Sequence, residues 1–140
     1  MKPWVAHAFI SMLFAGVTSV IAKQGLVGIS AELGIAVRTV FVFFFVLAFV
    51  AFAVPPAEVK EIGRESLLWL GLSAFTTAVS WIYYYKALKE GDVATVALID
   101  KGSTVVAIFL AWWLLKEVIT LRMVAGAACI LLGLIIISKK

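Results

Sequence analysis

Long apolar stretches separated by short polar segments dominate the chain. Five stretches reach the roughly 20 mostly apolar residues that a helix needs to cross the hydrocarbon core of a bilayer. They lie at residues 4–25, 33–54, 66–85, 93–115 and 118–138. The pattern therefore predicts an all-α, polytopic membrane protein, a bundle of five transmembrane helices in a single domain over residues 1–140.

The segments between these stretches are short and rich in residues that end or begin helices. Pro55 and Pro56 open the one charged loop, residues 55–65, because proline cannot continue a helix. Gly91 and Asp92 are predicted to be a helix C-terminal cap and an N-cap. Since short connections keep consecutive helices together, we expect spans three and four, and spans four and five, to be neighbours.

Composition supports a membrane protein and narrows its function. Apolar residues make up 64% of the chain and charged residues 14%, against about 45–50% and 25% in soluble domains. We therefore expect the lipid bilayer as a partner. The net charge of +4 does not indicate nucleic acid as a partner, because membrane proteins carry extra Lys and Arg for topological reasons. Cys129 is the only cysteine, so we expect no internal disulfide and no thiolate metal cluster. We also expect no other metal site and no cofactor.

Aromatic side chains with a polar edge cluster near the predicted helix ends. The set comprises Trp4, Trp69, Trp112, Trp113, Tyr83, Tyr84 and Tyr85. Because such rings prefer the boundary between membrane and water, we interpret them as interface anchors rather than as a ligand cage.

The basic residues outside the spans are shared equally between the two membrane surfaces. One surface receives Lys2, Lys60, Arg64, Lys116 and Arg122, and the other receives Lys23, Lys86, Lys89, Lys139 and Lys140. The positive-inside rule therefore favours neither orientation: the chain either inserts both ways up or takes one orientation that finer effects decide.

Three charged residues remain inside the spans: Arg38, Asp100 and Lys101. Each costs about 2.5 to 3.5 kcal/mol at a helix centre, so such residues usually pair or line a hydrated cavity. The second and fourth spans start from the same membrane surface, and Arg38 and Asp100 lie about 8 and 11 Å along them. An ion pair between the two side chains is therefore within reach. Lys101 points about 100° away around the helix and is left unpaired, facing a substrate, or paired with Asp100 of a neighbouring protomer.

The charged trio has two interpretations. It is either a buried network that fixes helix packing or a polar site for a substrate or a proton, the usual role of ionisable groups at membrane depth. Gly102, Ser103 and Thr104 follow directly and favour the second, because a glycine and two hydroxyls can loosen the helix and offer hydrogen bonds. Arg38, Asp100, Lys101 and Ser103 are therefore the candidate substrate-binding residues.

Asp100 is also the candidate coupling residue, because burial favours the neutral form of a carboxyl group and so lets it carry a proton. An enzyme is not expected. His7 is the only histidine, the chain has no His-Glu-x-x-His or Gly-x-Ser-x-Gly motif, and the fourth span holds no second acid that would complete a catalytic pair.

Much of the chain resembles a known transporter unit. The segments are WIYYYKALKEGDVATVALIDKGSTVVAIFLAWWLLKE and AGAACILLGLIII, which are similar to the EamA unit of the drug/metabolite transporter superfamily. The matching positions are Tyr84, Tyr85, Ala87, Leu88, Gly91, Glu117, Gly126 and Gly133. Arg38 matches the arginine found early in the second helix of that unit.

The resemblance implies a multi-pass transporter in the prokaryotic inner (cell) membrane that moves a small metabolite or drug-like molecule by alternating access. Members usually hold two such units in one chain, and the two units together form an inverted repeat. This chain resembles a single unit. A single unit with an odd number of spans implies a homodimer of opposed protomers, which the balanced charges also favour. The alternative is a non-transporting membrane subunit whose buried charges specify assembly with another membrane protein.

The charge balance predicts that the protein inserts in both orientations. With a tag on each terminus, each tag should be found on both sides of the membrane in cells, in comparable amounts. The measurement is protection of the tags from protease and impermeant label in intact cells; one uniform orientation would exclude the antiparallel homodimer.

Overall fold

The computed structural model of the chain describes residues 2–138, and every regular element in that range is a helix. The helices are α1 (Pro3–Gly25), α2 (Ala31–Ala53), α3 (Pro56–Lys60), α4 (Arg64–Glu90), α5 (Val93–Asp100), α6 (Ser103–Leu115) and α7 (Leu121–Ser138). The predicted all-α class is confirmed.

Four helical segments are long and apolar enough to cross a membrane: Pro3–Gly25, Ala31–Ala53, Arg64–Glu90 and Val93–Leu115. Leu121–Ile137 forms a shorter apolar helix in the position of the predicted fifth span. Large apolar side chains such as Phe41, Phe45 and Phe52 are exposed on these helices. A soluble fold would bury them, so their exposure agrees with a polytopic membrane protein whose helices face lipid.

Capping side chains determine where two of the spans begin. The Ser30 hydroxyl accepts a hydrogen bond from Leu33 N at 3.2 Å, so α2 begins at Ala31 rather than at residue 33. Asp92 accepts from Thr95 N at 2.9 Å, which confirms it as the N-cap of α5. Gly91 does not take the left-handed conformation expected of a C-cap glycine, although it follows the end of α4 directly.

The third span is longer than predicted. α4 continues from the predicted end at residue 85 through Glu90, because Lys86, Ala87, Leu88 and Lys89 are all good helix formers. The charges of this last turn therefore extend the helix beyond its apolar part rather than forming a loop.

The predicted start of the fifth span at residue 118 is wrong by about one turn. Lys116 ends α6 in a left-handed conformation with φ 57°, and Glu117 N donates back to Ala111 O at 3.2 Å, a pattern that closes a helix C-terminus. The Thr120 hydroxyl then accepts from Met123 N at 3.3 Å, so α7 begins only at Leu121. A left-handed lysine could not be read from the apolar pattern.

The chain divides into two compact units. The first comprises residues 1–20 and 91–140, and the second comprises residues 21–90. In the first unit α5 and α6 both pack against α7, which confirms that spans four and five are neighbours. In the second unit α2 packs against α4. The pairing of spans three and four, and the assignment of the whole chain to one domain, stay predictions.

Two lysines join the ends of α1 and α4 within the second unit. Lys23 Nζ donates to Leu88 O and, at 3.3 Å, to Lys89 O, while Lys89 Nζ donates to Leu26 O at 2.8 Å. Each ammonium group thus satisfies carbonyls that the other helix leaves open at its C-terminus. Lys23 and Lys89 lie on one surface, as their predicted grouping requires; Lys139 and Lys140, predicted to share it, lie outside the described residues.

Candidate functional site

The fourth span is interrupted at Lys101 and Gly102. α5 ends at Asp100 and α6 begins at Ser103. Across this junction Lys101 N donates to Leu98 O at 3.1 Å and Gly102 N donates to Ile99 O at 2.9 Å, three residues back instead of four. Thr104 N and Val105 N likewise donate three residues back, to Lys101 O at 3.1 Å and Gly102 O at 3.0 Å. The junction is therefore a short stretch of 3₁₀-type bonding, which in the middle of a helix often marks a functional hinge.

Gly102 explains why the helix breaks at this point. Glycine is a poor helix former, and a Cβ added at position 102 would lie 2.9 Å from Leu134 Cδ1 of α7 and 3.0 Å from Ile99 O. The position therefore combines a flexible backbone with close packing against α7. The prediction that the segment after Asp100 loosens the helix is confirmed.

Asp100 and Lys101 face each other at the break. Lys101 Nζ lies 4.0 Å from Asp100 Oδ2, the outer limit of an ion pair, and the two side chains are 40% and 54% exposed for Asp100 and Lys101 respectively. The prediction that Lys101 points away from Asp100 is wrong, because the α-helix ends at Asp100 and a long lysine side chain can reach back. Ser103, the first residue of α6, is exposed.

Arg38 meets aromatic rings in the second unit. Its guanidinium carbon lies 4.1 Å from the centroid of the Trp81 ring and 5.9 Å from that of Tyr85. A cation over an aromatic face is stabilised by about 0.5 to 2 kcal/mol, most where water is excluded. One guanidinium nitrogen, Nη1, is buried and has no hydrogen-bond acceptor among residues 2–138.

The predicted ion pair between Arg38 and Asp100 stays a prediction, because the two residues belong to different compact units. What the structure brings together is Asp100 with Lys101 in the first unit, and Arg38 with Trp81 and Tyr85 in the second. In the described residues no cluster of three or more His, Cys, Asp or Glu side chains could hold a metal ion.

A groove runs between α2 and α4, entirely within the second unit. Its volume is about 670 Å³, within the usual range for small-molecule pockets. The residues that line it are mostly apolar or small: Ile35, Ala36 and Thr39 from α2, and Leu70, Ser73, Ala74, Thr77, Ala78, Trp81 and Ile82 from α4. Trp81 thus borders both the groove and the guanidinium of Arg38.

The register of α2 against α4 places Arg38 against Trp81, a residue that lines this groove. Lys86 Nζ and a Glu32 carboxylate oxygen lie 3.3 Å apart on exposed side chains, and Arg38 lies over Trp81 two turns further along α2. The two helices are therefore antiparallel. The lysine contacts between the ends of α1 and α4 lie at the Glu32–Lys86 end of this helix pair. At the same end Leu26 packs over Gly34, where an added Cβ would clash with the leucine side chain.

Sequence reasoning missed Trp81 and misassigned Tyr85. Tyr85 was expected at the membrane interface, yet it is only 4% exposed and contributes to the surroundings of Arg38. The signal that could have found both is their spacing: Ser73, Thr77, Trp81 and Tyr85 recur every four residues and so share one face of α4.

Trp81→Leu should destabilise the protein because it removes the ring under Arg38. We expect a loss of about 1 to 2 kcal/mol in the free energy of unfolding beyond that of the control Trp69→Leu, since Trp69 is exposed on the same helix. The measurement is unfolding in mixed detergent micelles followed by circular dichroism. Equal losses for the two variants would show that the Arg38–Trp81 contact does not stabilise the fold.

Comparison with known proteins gives two related results. The model of the EamA-like transporter family matches residues 2–139. A protein of Sinorhizobium sp, described as an uncharacterized transporter in cobO 3'region, is 34% identical over 137 residues, which cover 98% of this chain and 97% of that protein. No solved structure matches the chain. This chain therefore belongs to the EamA-like transporter family of membrane transporters.

Proposed function

We propose that the protein is a secondary transporter of the prokaryotic inner membrane, a multi-pass protein that moves a small metabolite or drug-like molecule by alternating access. One observation carries the proposal: the fourth span breaks within the membrane-crossing segment, and the break holds Asp100 and Lys101. Membership in a family of transporters supports the general function.

The break is costly unless it has a use. A 3₁₀ turn leaves backbone groups less well satisfied than an α-helix does, and such backbone is tolerated at membrane depth only where protein or water surrounds it. Two ionised side chains at the same position increase the cost further. Discontinuous helices that carry polar groups near the midplane are the form that substrate and ion sites take in many secondary transporters.

The residues proposed to bind substrate are Asp100, Lys101 and Ser103 at the break in the first unit and Arg38 of α2 in the second unit. Asp100 is the coupling residue. With Lys101 Nζ at 4.0 Å, the carboxylate has a cation close by but not in tight contact. Arg38 adds a second positive charge that is held in place by the Trp81 ring.

The functional form is proposed to be an antiparallel homodimer. Two features support it: the equal division of basic residues between the two surfaces, and the length of the Sinorhizobium relative, which bears the name of a transporter although 137 residues already cover 97% of it. Two opposed copies of one unit would supply the in-plane pseudo-symmetry on which alternating access depends.

Asp100→Asn should abolish proton-coupled flux, because asparagine keeps the shape of the side chain but cannot bind and release a proton. In proteoliposomes that contain a pH-sensitive dye and carry an imposed pH gradient, the wild type should show saturable proton movement when a solute from a panel of amino acids, nucleosides, sugars and organic ions is added. The variant should be slower by about tenfold or more.

Glu61→Gln is the matched control, because Glu61 is an exposed acid outside the candidate membrane spans. It should transport like the wild type. Asp100→Asn transporting as fast as the wild type would remove the coupling role. An unrelated partner in stoichiometric amount after purification from native membranes, together with absence of flux, would instead identify a non-transporting subunit.

A further inference from the structure

We infer that the substrate is an amphipathic monoanion whose apolar, ring-sized body lies in the groove between α2 and α4 and whose negatively charged head pairs with Arg38. The inference rests on the proposed transport function and names the class of molecule that the site selects. Three features of the second unit support the inference: the charge of Arg38, the hydrogen bonding of its guanidinium group, and the shape of the groove.

One uncompensated positive charge, that of Arg38, lies next to a residue that lines the groove, Trp81. Between residues 33 and 53 of α2 and residues 66 and 85 of α4, Arg38 is the only Lys, Arg, Asp or Glu. The nearest acid on these helices, Glu32, is already paired with Lys86 at 3.3 Å near the helix ends. The contacts of Arg38 are two aromatic rings, which stabilise a cation but do not neutralise it. A ligand with one negative charge is therefore the electrostatic complement.

Hydrogen bonding places the charged head at Arg38 rather than in the middle of the groove. Arg38 Nη1 is buried without an acceptor in the described part of the chain, and a carboxylate, sulfonate or phosphate oxygen is the strongest acceptor that a guanidinium can find. Two of the three hydroxyl groups that line the groove already donate to backbone carbonyls. Thr39 donates to Ile35 O and Thr77 donates to Ser73 O, both at 2.8 Å, so these hydrogens point along their own helices.

The groove itself fits an apolar body next to that head. Small side chains, including Ala36, Ala74 and Ala78, line its walls, and the Trp81 ring forms its end next to Arg38. A planar ring can stack on Trp81 while its charged substituent reaches the guanidinium. The α4 wall from Leu70 to Ile82 is about 18 Å long, so two fused rings fit with room to spare.

A pair of probes that differ only in the sign of the head tests the inference. They are 2-naphthalenesulfonate and N,N,N-trimethyl-2-naphthylammonium, which are both fluorescent and permanently charged, so neither crosses lipid unaided. Methanesulfonate supplies the head without the body. In phosphatidylcholine nanodiscs we expect the protein to bind naphthalenesulfonate about tenfold or more tightly than either of the other two, and in proteoliposomes to transport it saturably.

Variants assign this binding to the groove. Arg38→Gln should weaken naphthalenesulfonate binding about tenfold or more, and Arg38→Lys should retain most of the preference for the anion. Ala36→Leu fills the groove and should weaken binding. Ala48→Leu is the same change on the same helix outside the groove and should leave binding unchanged, so a loss confined to Ala36→Leu comes from filling the groove. Arg38→Lys is the corresponding control for Arg38→Gln, because it keeps the charge.

The outcomes separate this inference from the transport proposal. Saturable flux of the naphthylammonium ion, with no binding of the sulfonate, would overturn the anionic substrate class and leave transport standing. Arg38-dependent binding of the sulfonate without flux of any probe would contradict transport itself. Loss of sulfonate binding when a tenth of the phosphatidylcholine is replaced by phosphatidylglycerol, at a salt concentration that screens the charge of the bilayer surface, would identify an anionic lipid headgroup as the partner of Arg38 and overturn the inference. Equal effects of Ala36→Leu and Ala48→Leu would overturn the assignment to the groove.

Discussion

Keeping an ionised side chain inside a bilayer is costly, and the rest of the structure depends on how the protein offsets that cost. A charge at that depth loses its water shell, and the protein must replace the lost stabilisation with a counter-charge, an aromatic face or retained water. This chain uses two of these replacements in different places. Arg38 lies against the Trp81 and Tyr85 rings, whereas Asp100 and Lys101 approach each other at the break in the fourth span.

The two arrangements differ in how firmly the surrounding structure holds the charged side chains. The break between α5 and α6 frees the backbone at Lys101 and Gly102 from regular helical bonding and keeps both charged side chains partly exposed. The Arg38 arrangement is more rigid, because the lysine contacts at the ends of α1 and α4, together with the Glu32–Lys86 pair, hold the register of the helices around it. A partly exposed charged pair at a helix break is suited to the proposed coupling role, and a cation held against aromatic rings is suited to the proposed selection of a substrate.

Much of the fold follows from the sequence because the bilayer imposes a simple rule: stretches of about 20 apolar residues form spans. The same physical logic correctly predicted the Asp92 cap and the loosened helix after Asp100, since both depend on local chemistry. It failed where two local signals competed. Lys116 takes a left-handed conformation that lysine does not favour, and the Thr120 cap, not the apolar pattern, decides where α7 begins.

The candidate site was predicted only in part. Asp100, Lys101 and Arg38 stand out because charge is rare within apolar stretches, but the direction of a side chain at a helix break cannot be read from helical periodicity. Lys101 therefore folds back to Asp100 instead of pointing away. Trp81 was overlooked because one aromatic residue among many carries no signal by itself; its role emerges only from the packing of α4 on α2.

The most direct test of the account is whether water reaches the break in the fourth span. In a Cys129→Ser background, Lys101→Cys and, as a control, Phe109→Cys on the exposed apolar surface of α6 would be treated with a membrane-impermeant, negatively charged methanethiosulfonate. The account predicts rapid modification at position 101 and little at position 109. If position 101 is as unreactive as position 109, the charged pair faces lipid and the account is wrong.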